Sequence, residues 1–305
     1  MTTRTRSSTL APWRLVVVGA VVLALLAMGS VWSNAFGVGD KWERGLARIE
    51  RFINPPPSEA QVPTVVVPAG EEPSETPAPS VDIAAAVGTP IPATPAPARS
   101  PVDVDLVEDH AATFTSQNTT EMCAVAATQI MLTIMGKGTP GPEFQNEIGS
   151  RISEWTSWED SHDGGWGPAA IASALAAYGA DGYQVVAFES HEDAIRHAAI
   201  AISETGKPVA LLTWWGAHTW IMTGYRATAD PAVFDDATIT GAYIEDPWYP
   251  RVSSIWGPSD PPGNFEDVAE LERNWPFGTD DDGWSRLEGA YPDRDDRFVV
   301  VLPSA

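Results

Sequence analysis

A proline-rich segment in the N-terminal third most limits how this chain can fold. Residues 55–101 contain 13 prolines among small and acidic residues, including two Pro-Ala-Pro triplets. Such a composition buries too little apolar surface to fold, and proline favours an extended, semi-rigid backbone. We therefore predict a disordered stalk over 55–101 and a folded domain over 102–305.

The segment before the stalk has the features of a membrane-targeting N-terminus. A basic tail, residues 1–14, precedes an uncharged apolar run over 15–32. A helix of this length nearly crosses a bilayer core of about 30 Å, and basic residues before a span keep that end in the cytoplasm. We predict an uncleaved transmembrane anchor, with a cleavable signal peptide as the alternative. Both interpretations place the folded domain on the extracytoplasmic side, on the cell membrane or secreted.

Residues 33–54 contain an amphipathic pattern. Trp42, Leu46, Ile49 and Ile53 share one helical face, and basic residues surround it. This pattern predicts a juxtamembrane helix lying on the membrane surface. A helix that merely continues the anchor explains it equally well.

The charge distribution excludes several partners. The first 54 residues carry seven Lys/Arg against three Asp/Glu, so the rest of the chain is responsible for the strongly negative net charge of −23. An acidic body repels nucleic acid, so we expect no nucleic-acid partner. One cysteine permits no disulfide, and no Cys/His pairs have zinc-ligand spacing. We expect a monomer without cofactor or metal, and we interpret the acidic run 280–283 as solvated surface rather than a calcium loop.

The order of predicted elements over 102–305 indicates an α+β fold. Helices are predicted from Cys123 to about 136 and over 167–178. A capping box formed by Ser190 and Asp193 begins a third helix, which ends at Gly206. The remaining predicted elements are strands over 185–188, 208–215, 218–225, 242–245 and 298–302 and a helix over 265–275. Helices followed by an antiparallel sheet are an α+β pattern.

Cys123, the only cysteine in the sequence, is the candidate nucleophile. It begins a run of good helix formers, and the positive end of a helix dipole stabilises a thiolate. Gln117, six residues upstream, can aim its side-chain N–H at a developing oxyanion, alongside the backbone N–H of Cys123. Burial as a small apolar side chain is the usual fate of a free cysteine. The helix-start position and the partners described next favour the catalytic interpretation.

His218 and Asp246 are the candidate partners of the cysteine. A thiol nucleophile needs a base to take its proton and a third group to orient that base. His218 begins a predicted strand directly after the Gly216-Ala217 turn, where a side chain can project into a cleft. Asp246 lies at the end of the next strand and can accept the imidazole N–H.

Four ordered motifs resemble the papain-like cysteine peptidases, and in particular the branch related to the double-glycine leader peptidases of bacteriocin exporters. The motifs are Gln-x5-Cys-x2-Ala-x2-Gln over 117–129, Gly-Lys-Pro-Val-Ala-Leu-Leu over 206–212, Gly-x-His-x3-Met-Thr-Gly-Tyr over 216–225 and Ile-x-Asp-Pro over 244–247. The resemblance covers about residues 112–302. It implies a papain-like fold with N-terminal helices packed on an antiparallel sheet.

The same resemblance implies a role for each candidate residue. Cys123 is the nucleophile, His218 the general base and acid, Asp246 the orienting residue and Gln117 the oxyanion-hole donor. Members usually carry Trp-Cys-Gly-Pro at the nucleophile, whereas this chain has Met-Cys-Ala-Val over 122–125. The sequence also lacks the phosphate-binding motif of an ATP-binding cassette. An exporter role and double-glycine specificity are therefore not inferred.

We expect a membrane-tethered, extracytoplasmic cysteine peptidase or amide hydrolase that acts on a peptide or protein substrate. One alternative is a catalytically silent module on the same fold that binds a peptide or envelope component. Another is a transglutaminase-like acyl transferase, which would use the same groups. Trp166, Trp215 and Trp220 are candidates to line the substrate cleft, although packing in the core explains such residues more often.

Overall fold

The computed structural model describes residues 28–29, 42, 45–46, 49, 53, 62–69, 98–161, 166–275 and 293–304. The chain divides into two units, residues 1–55 and 56–305. In the first unit Trp42, Leu46, Ile49 and Ile53 are helical, and their exposed fractions range from 49% to 67%. Their contact with a membrane stays a prediction. The basic tail and nearly all of the predicted anchor over 15–32 lie outside the described residues. Within the described residues, no helix has both the length and the apolar character that crossing a bilayer requires.

One sheet forms the centre of the second unit. Its strands and a small separate hairpin are β1 Thr64–Val67, β2 Val102–Asp105, β3 Tyr183–Phe188, β4 Val209–Thr213, β5 His218–Ala227, β6 Ile239–Glu245, β7 Val252–Ser253, β8 Gly257–Pro258, β9 Asn264–Asp267 and β10 Phe298–Pro303. The helices are α1 His110–Thr113, α2 Cys123–Ile134, α3 Pro142–Ser150, α4 Pro168–Ala177, α5 His191–Thr205 and α6 Val268–Asn274. The sheet order is β1-β3-β10-β4-β5-β6-β9, β2 also pairs with β5, and β7 pairs with β8. Only β1 and β3 pair in parallel among these strands.

Helices cover both faces of the sheet. Along β3, Val185 and Ala187 join the core that contains α2, α3 and α4. Val186 and Phe188 join the core that contains α5 and α6. This division follows from the alternation of side chains along a strand. The predicted mixture of helices with an antiparallel sheet is therefore confirmed, and the helices occupy both faces rather than one.

α2 is buried on every side. Each residue from 124 to 132 is buried, because α2 lies against β5 and against α3 and α4. A helix without a solvated face is typical of a protein interior. The buried amide of Gln129 donates to the carbonyl oxygens of Thr139 at 3.0 Å and Gly141 at 2.7 Å. The core thus determines where the first residue of α2, Cys123, lies.

Two local predictions are confirmed in detail. The Ser190 hydroxyl accepts the backbone N–H of Asp193 at 3.0 Å, which satisfies an N–H group at the start of α5. Gly206 ends the same helix with a φ of 62°, which a glycine adopts without steric cost. The strands predicted over 208–215 and 218–225 are present as the antiparallel pair β4 and β5, joined by a turn over residues 214–217.

The helix predicted over 265–275 begins later than expected. Asn264–Asp267 is instead strand β9, which pairs with β6, and the helix starts at Val268. Phe265 lies opposite Tyr243, and their rings meet edge to face with centroids 5.3 Å apart. This cross-strand contact favours the sheet over the local helical pattern.

The disordered-stalk prediction is wrong for Thr64–Val67. This β-branched segment forms β1 at the sheet edge, in register with Val185–Phe188. Val67 is buried at 3% exposure, and the Thr64 hydroxyl accepts Arg294 Nε at 2.8 Å. Arg294 also pairs with buried Asp160 at 3.0 Å. Of the remaining stalk, residues 70–97 lie outside the described part of the chain.

His110 fastens the segment before α2 to the strand that leads to Asp246. Its Nδ1 lies 2.9 Å from Glu245 Oε1, and its Nε2 lies 3.0 Å from Asp105 Oδ2. The hydrogen bonds to Asp105 and then Glu245 outweigh burial and raise the pKa of His110 to about 9. At neutral pH the ring therefore carries both protons and donates to both carboxylates. The hydrogen bonds of His110, a residue of α1, therefore connect β2 with β6.

We predict that the folded domain needs β1 for its full stability. Val67→Thr places a hydroxyl where the side chain is buried and should lower the free energy of unfolding by about 1–3 kcal/mol. Val65→Thr, on the same strand at 44% exposure, should change it by less than about 0.5 kcal/mol. Urea denaturation of both full-length variants measures the difference. Equal effects would show that β1 is not packed as described.

Candidate active site

Cys123 lies at the start of α2, beside the turn that joins β4 to β5. It is partly buried, and its Sγ is 3.9 Å from the carbonyl oxygen of Ala217. No side chain caps the N-terminus of α2. The first N–H groups of a helix have no partner within it, so they are available to an anionic group beside Cys123.

His218 and Asp246 form a buried hydrogen-bonded pair. His218 Nε2 lies 2.6 Å from Asp246 Oδ1, with exposed fractions of 2% and 4% for the two residues. The backbone N–H of Trp248 donates to the same carboxylate oxygen at 2.8 Å, which holds it in place. His218 begins β5, and Asp246 directly follows β6, the neighbouring strand. Sheet pairing therefore brings together two residues that are 28 positions apart.

Opposing influences act on the protonation of His218. Burial lowers the pKa of His218, but the charge and hydrogen bond of Asp246, together with a hydrogen bond to Cys123, raise it to about 9. The imidazole is thus doubly protonated at neutral pH. Because Nε2 faces Asp246, Nδ1 is the ring nitrogen left for the sulfur. The structure therefore brings Cys123, His218 and Asp246 together.

A strained turn supports the histidine ring. Trp214, Trp215 and Gly216 have φ values of 53°, 56° and 76°, a region that costs about 1–2 kcal/mol for a residue with a side chain. The end of α6 holds Trp214 there, because Asn274 accepts its backbone N–H at 2.7 Å and its indole N–H at 3.1 Å. The Trp214 ring stacks on His218 with centroids 4.1 Å apart. This stacking holds the imidazole plane.

Gln117 lies in the loop that precedes α2 and is 2% exposed. Its backbone N–H donates to the carbonyl of Pro247 at 2.9 Å, next to Asp246. Its side-chain Nε2 donates to the Thr119 carbonyl at 2.6 Å, and Oε1 is buried without a hydrogen-bond partner. A primary amide has two N–H groups, so one remains for an oxyanion.

Arg251 contacts the loop before Cys123, and no sequence pattern predicted this contact. Its guanidinium donates to the carbonyls of Asn118 and Thr119, each at 3.3 Å, and lies 5.3 Å from the Trp248 ring. It thereby connects the loop before Cys123 to the segment after Asp246. A lone arginine gives no sequence signal for such a contact, whereas Trp248 could have been noticed because it follows Asp246-Pro247.

The three candidate cleft tryptophans lie in different surroundings. Trp215 is partly exposed, and its ring meets Trp256 edge to face at 4.8 Å. Trp220 is 6% exposed on β5 and belongs to the core on the α5 face. Trp166 packs on Trp155 at 5.5 Å, against the core on the α2 face. The turn at Trp214 and Trp215, rather than Trp166, is therefore next to His218.

The described residues contain no group of three or more His, Cys, Asp or Glu side chains arranged to hold a metal ion. The acidic run over 280–283 lies outside them. The groups that are present suit proton transfer and nucleophilic attack by sulfur.

One of three comparisons with known proteins found a match. The sequence model of the Peptidase_C39 like family matches residues 110–275, more than half of the chain. The matched region begins at α1 and ends after α6, so it includes Cys123, His218 and Asp246. A search of the curated proteins and of the solved structures found no match. The match confirms the resemblance to papain-like cysteine peptidases, and the chain belongs to the C39-like peptidase family.

Proposed function

We propose that this protein is a cysteine peptidase or amide hydrolase in which Cys123, His218 and Asp246 act as a triad. The observation that carries the proposal is the buried 2.6 Å bond between His218 and Asp246 beside a thiol at a helix start. Membership of a peptidase family supports a peptide or protein substrate. This chain would then supply the nucleophile, the base and the group that orients the base.

The reaction begins with the sulfur of Cys123 attacking the carbonyl carbon of the scissile amide. His218 holds the thiol proton and passes it to the nitrogen of the leaving amine as the C–N bond breaks. A thioester to Cys123 results. Water then attacks the thioester carbon, gives a proton to His218, and the C–S bond breaks. The carboxylic acid product leaves, and His218 keeps the proton taken from water, which restores the starting state. Asp246 keeps Nδ1 directed at the sulfur throughout.

Hydrogen-bond donors must stabilise the negative charge that develops on the carbonyl oxygen of the substrate. The N-terminal N–H groups of α2 and the remaining side-chain N–H of Gln117 are the candidates, because all belong to the segment around Cys123. Arg251 supports them indirectly by holding the carbonyls of Asn118 and Thr119.

We predict that sulfur reactivity and hydrolysis depend on the same imidazole. His218→Asn should slow alkylation of Cys123 by iodoacetamide at pH 7 about tenfold or more, because the ring no longer takes the thiol proton. Cys123→Ser should lower hydrolysis of a mixed peptide library by about a thousandfold or more. Mass spectrometry follows both reactions, and the single cysteine leaves one alkylation site.

His197→Asn is the matched control, since that ring stacks on Phe188 at 4.9 Å in another part of the fold. It should leave both rates near those of the native chain. Equal alkylation rates in His218→Asn and the native chain would reject the triad. Slow alkylation and no hydrolysis in the native chain would favour a silent binding module instead.

The pH dependence of hydrolysis is the next prediction. The protonated ring that serves the leaving amine is lost as pH rises through about 9, so kcat/KM should fall there. Asp246→Asn removes the charge that raises the pKa of His218, so the fall should begin at lower pH. Asp181→Asn, at an exposed position before β3, should leave the profile unchanged. An unshifted alkaline limb in Asp246→Asn would contradict the role of Asp246.

We also propose that the N-terminal segment tethers this domain to the membrane with the site on the extracytoplasmic side. The apolar run over 15–32 after a basic tail supports this topology. Protease added to intact cells should release a soluble fragment that begins within 70–97, between β1 and β2, or before 62. A chain fully resistant in intact cells and cut only after lysis would place the domain inside and reject the topology.

A further inference from the structure

An open, shallow cavity borders Asp246 and the Trp214 ring that stacks on His218. Its wall combines two kinds of side chain. The indoles are those of Trp214, Trp220 and Trp256, and the carboxylates besides Asp246 are those of Asp260, Glu266 and Glu270. None of the lining residues is basic. The mechanism proposed above leaves this cavity unused.

The carboxylates in this wall lack a matching number of cations. Glu270 pairs with Arg273, but in the described part of the chain no Lys, Arg or His forms an ion pair with Glu266 or Asp260. Glu266 is only 7% exposed, and Oε1 accepts the side-chain amide of Asn264 at 2.9 Å. A buried carboxylate is normally paired with a cation.

The protonation of Glu266 reflects this imbalance. Burial raises the pKa of Glu266, and the nearby charges of Asp260 and Glu270 and a hydrogen bond to Asp260 raise it further, while the hydrogen bond from Asn264 lowers it. A cation in the cavity would relieve the repulsion among the carboxylates.

The aromatic part of the wall points to an organic cation. Trp214 and Trp256 have nearly parallel rings, 4° apart in plane with centroids separated by 5.9 Å, and indole faces attract ammonium and guanidinium groups. The indole N–H of Trp220 is buried without a hydrogen-bond partner. It is a donor that a carbonyl of a bound peptide can satisfy. A hard metal ion, in contrast, prefers an all-oxygen shell.

We propose that this cavity is a subsite for a lysine or arginine side chain of the substrate. Glu266 and Asp260 receive the cationic group, and the indole of Trp256 contacts its aliphatic stem. The inference rests on the proposed function, since it assigns a substrate preference to the same site. It follows that peptides with a basic residue are the preferred substrate class.

Binding to an inactive full-length chain tests the subsite separately from catalysis. In the Cys123→Ala background, calorimetry and tryptophan fluorescence should detect capped Ala-Ala-Arg-Ala-Ala. The isosteric citrulline peptide, which lacks the charge, should bind about tenfold more weakly. Glu266→Gln and Asp260→Asn should each reduce this preference, and circular dichroism checks that each variant is folded.

Glu272→Gln is the matched control, because this glutamate lies on the same helix as Glu270, is 60% exposed and is outside the cavity wall. It should retain the full preference.

Equal binding of the two peptides, no binding of the arginine peptide at millimolar concentration, or an equal loss in Glu272→Gln would overturn the proposal. If Glu266→Gln does not fold, the Asp260→Asn variant tests the proposal in its place, because Asp260 is exposed. Charge-selective binding together with an inert native enzyme would reject the hydrolase function alone, whereas hydrolysis without charge selectivity would reject only the subsite.

Discussion

Burial of α2 on all sides is the constraint on which the site depends. Nine consecutive residues after Cys123 contact the interior, so the helix cannot turn or slide without opening the core between the sheet and α3 and α4. At the N-terminal end of α2, Cys123 is partly exposed and the residues that follow it are buried. The thiol is consequently held at one point, beside Ala217, and no flexibility of its own helix is needed to bring it to the imidazole.

The pairing of neighbouring strands brings together His218 and Asp246, the proposed partners of the thiol. β5 begins at His218 and β6 leads to Asp246, and their antiparallel pairing brings the two side chains to one end of the sheet. Around this pair, irregular segments from other parts of the chain provide restraint. Asn274 holds Trp214 over the ring, and Arg251 holds the loop before Cys123. Local strain at Trp214 and Trp215 is tolerated because packing and hydrogen bonds on several sides compensate for it.

Much of this architecture was predictable because its signals are local. The capping box at Ser190, the glycine that ends α5, and the start of β5 at His218 each depend on neighbours in the sequence. The segments that were wrongly predicted depend on contacts with residues distant in the sequence. β1 pairs with the edge of β3, and Phe265 lies in a strand where its ring packs on Tyr243. The cavity also escaped prediction, since its wall unites residues from 214 to 274 that no linear motif connects.

The pairing of β1, which lies in a proline-rich segment, with β3 has a mechanical consequence. Any pull that reaches this domain through the chain before residue 62 acts first on four residues paired in parallel with β3. A load directed along that strand shears its hydrogen bonds together, and Arg294 must also release Thr64 before the edge gives way. Since β3 is separated from β5 by β10 and β4, such a force is absorbed at the far margin of the sheet, well away from the strand that carries the imidazole.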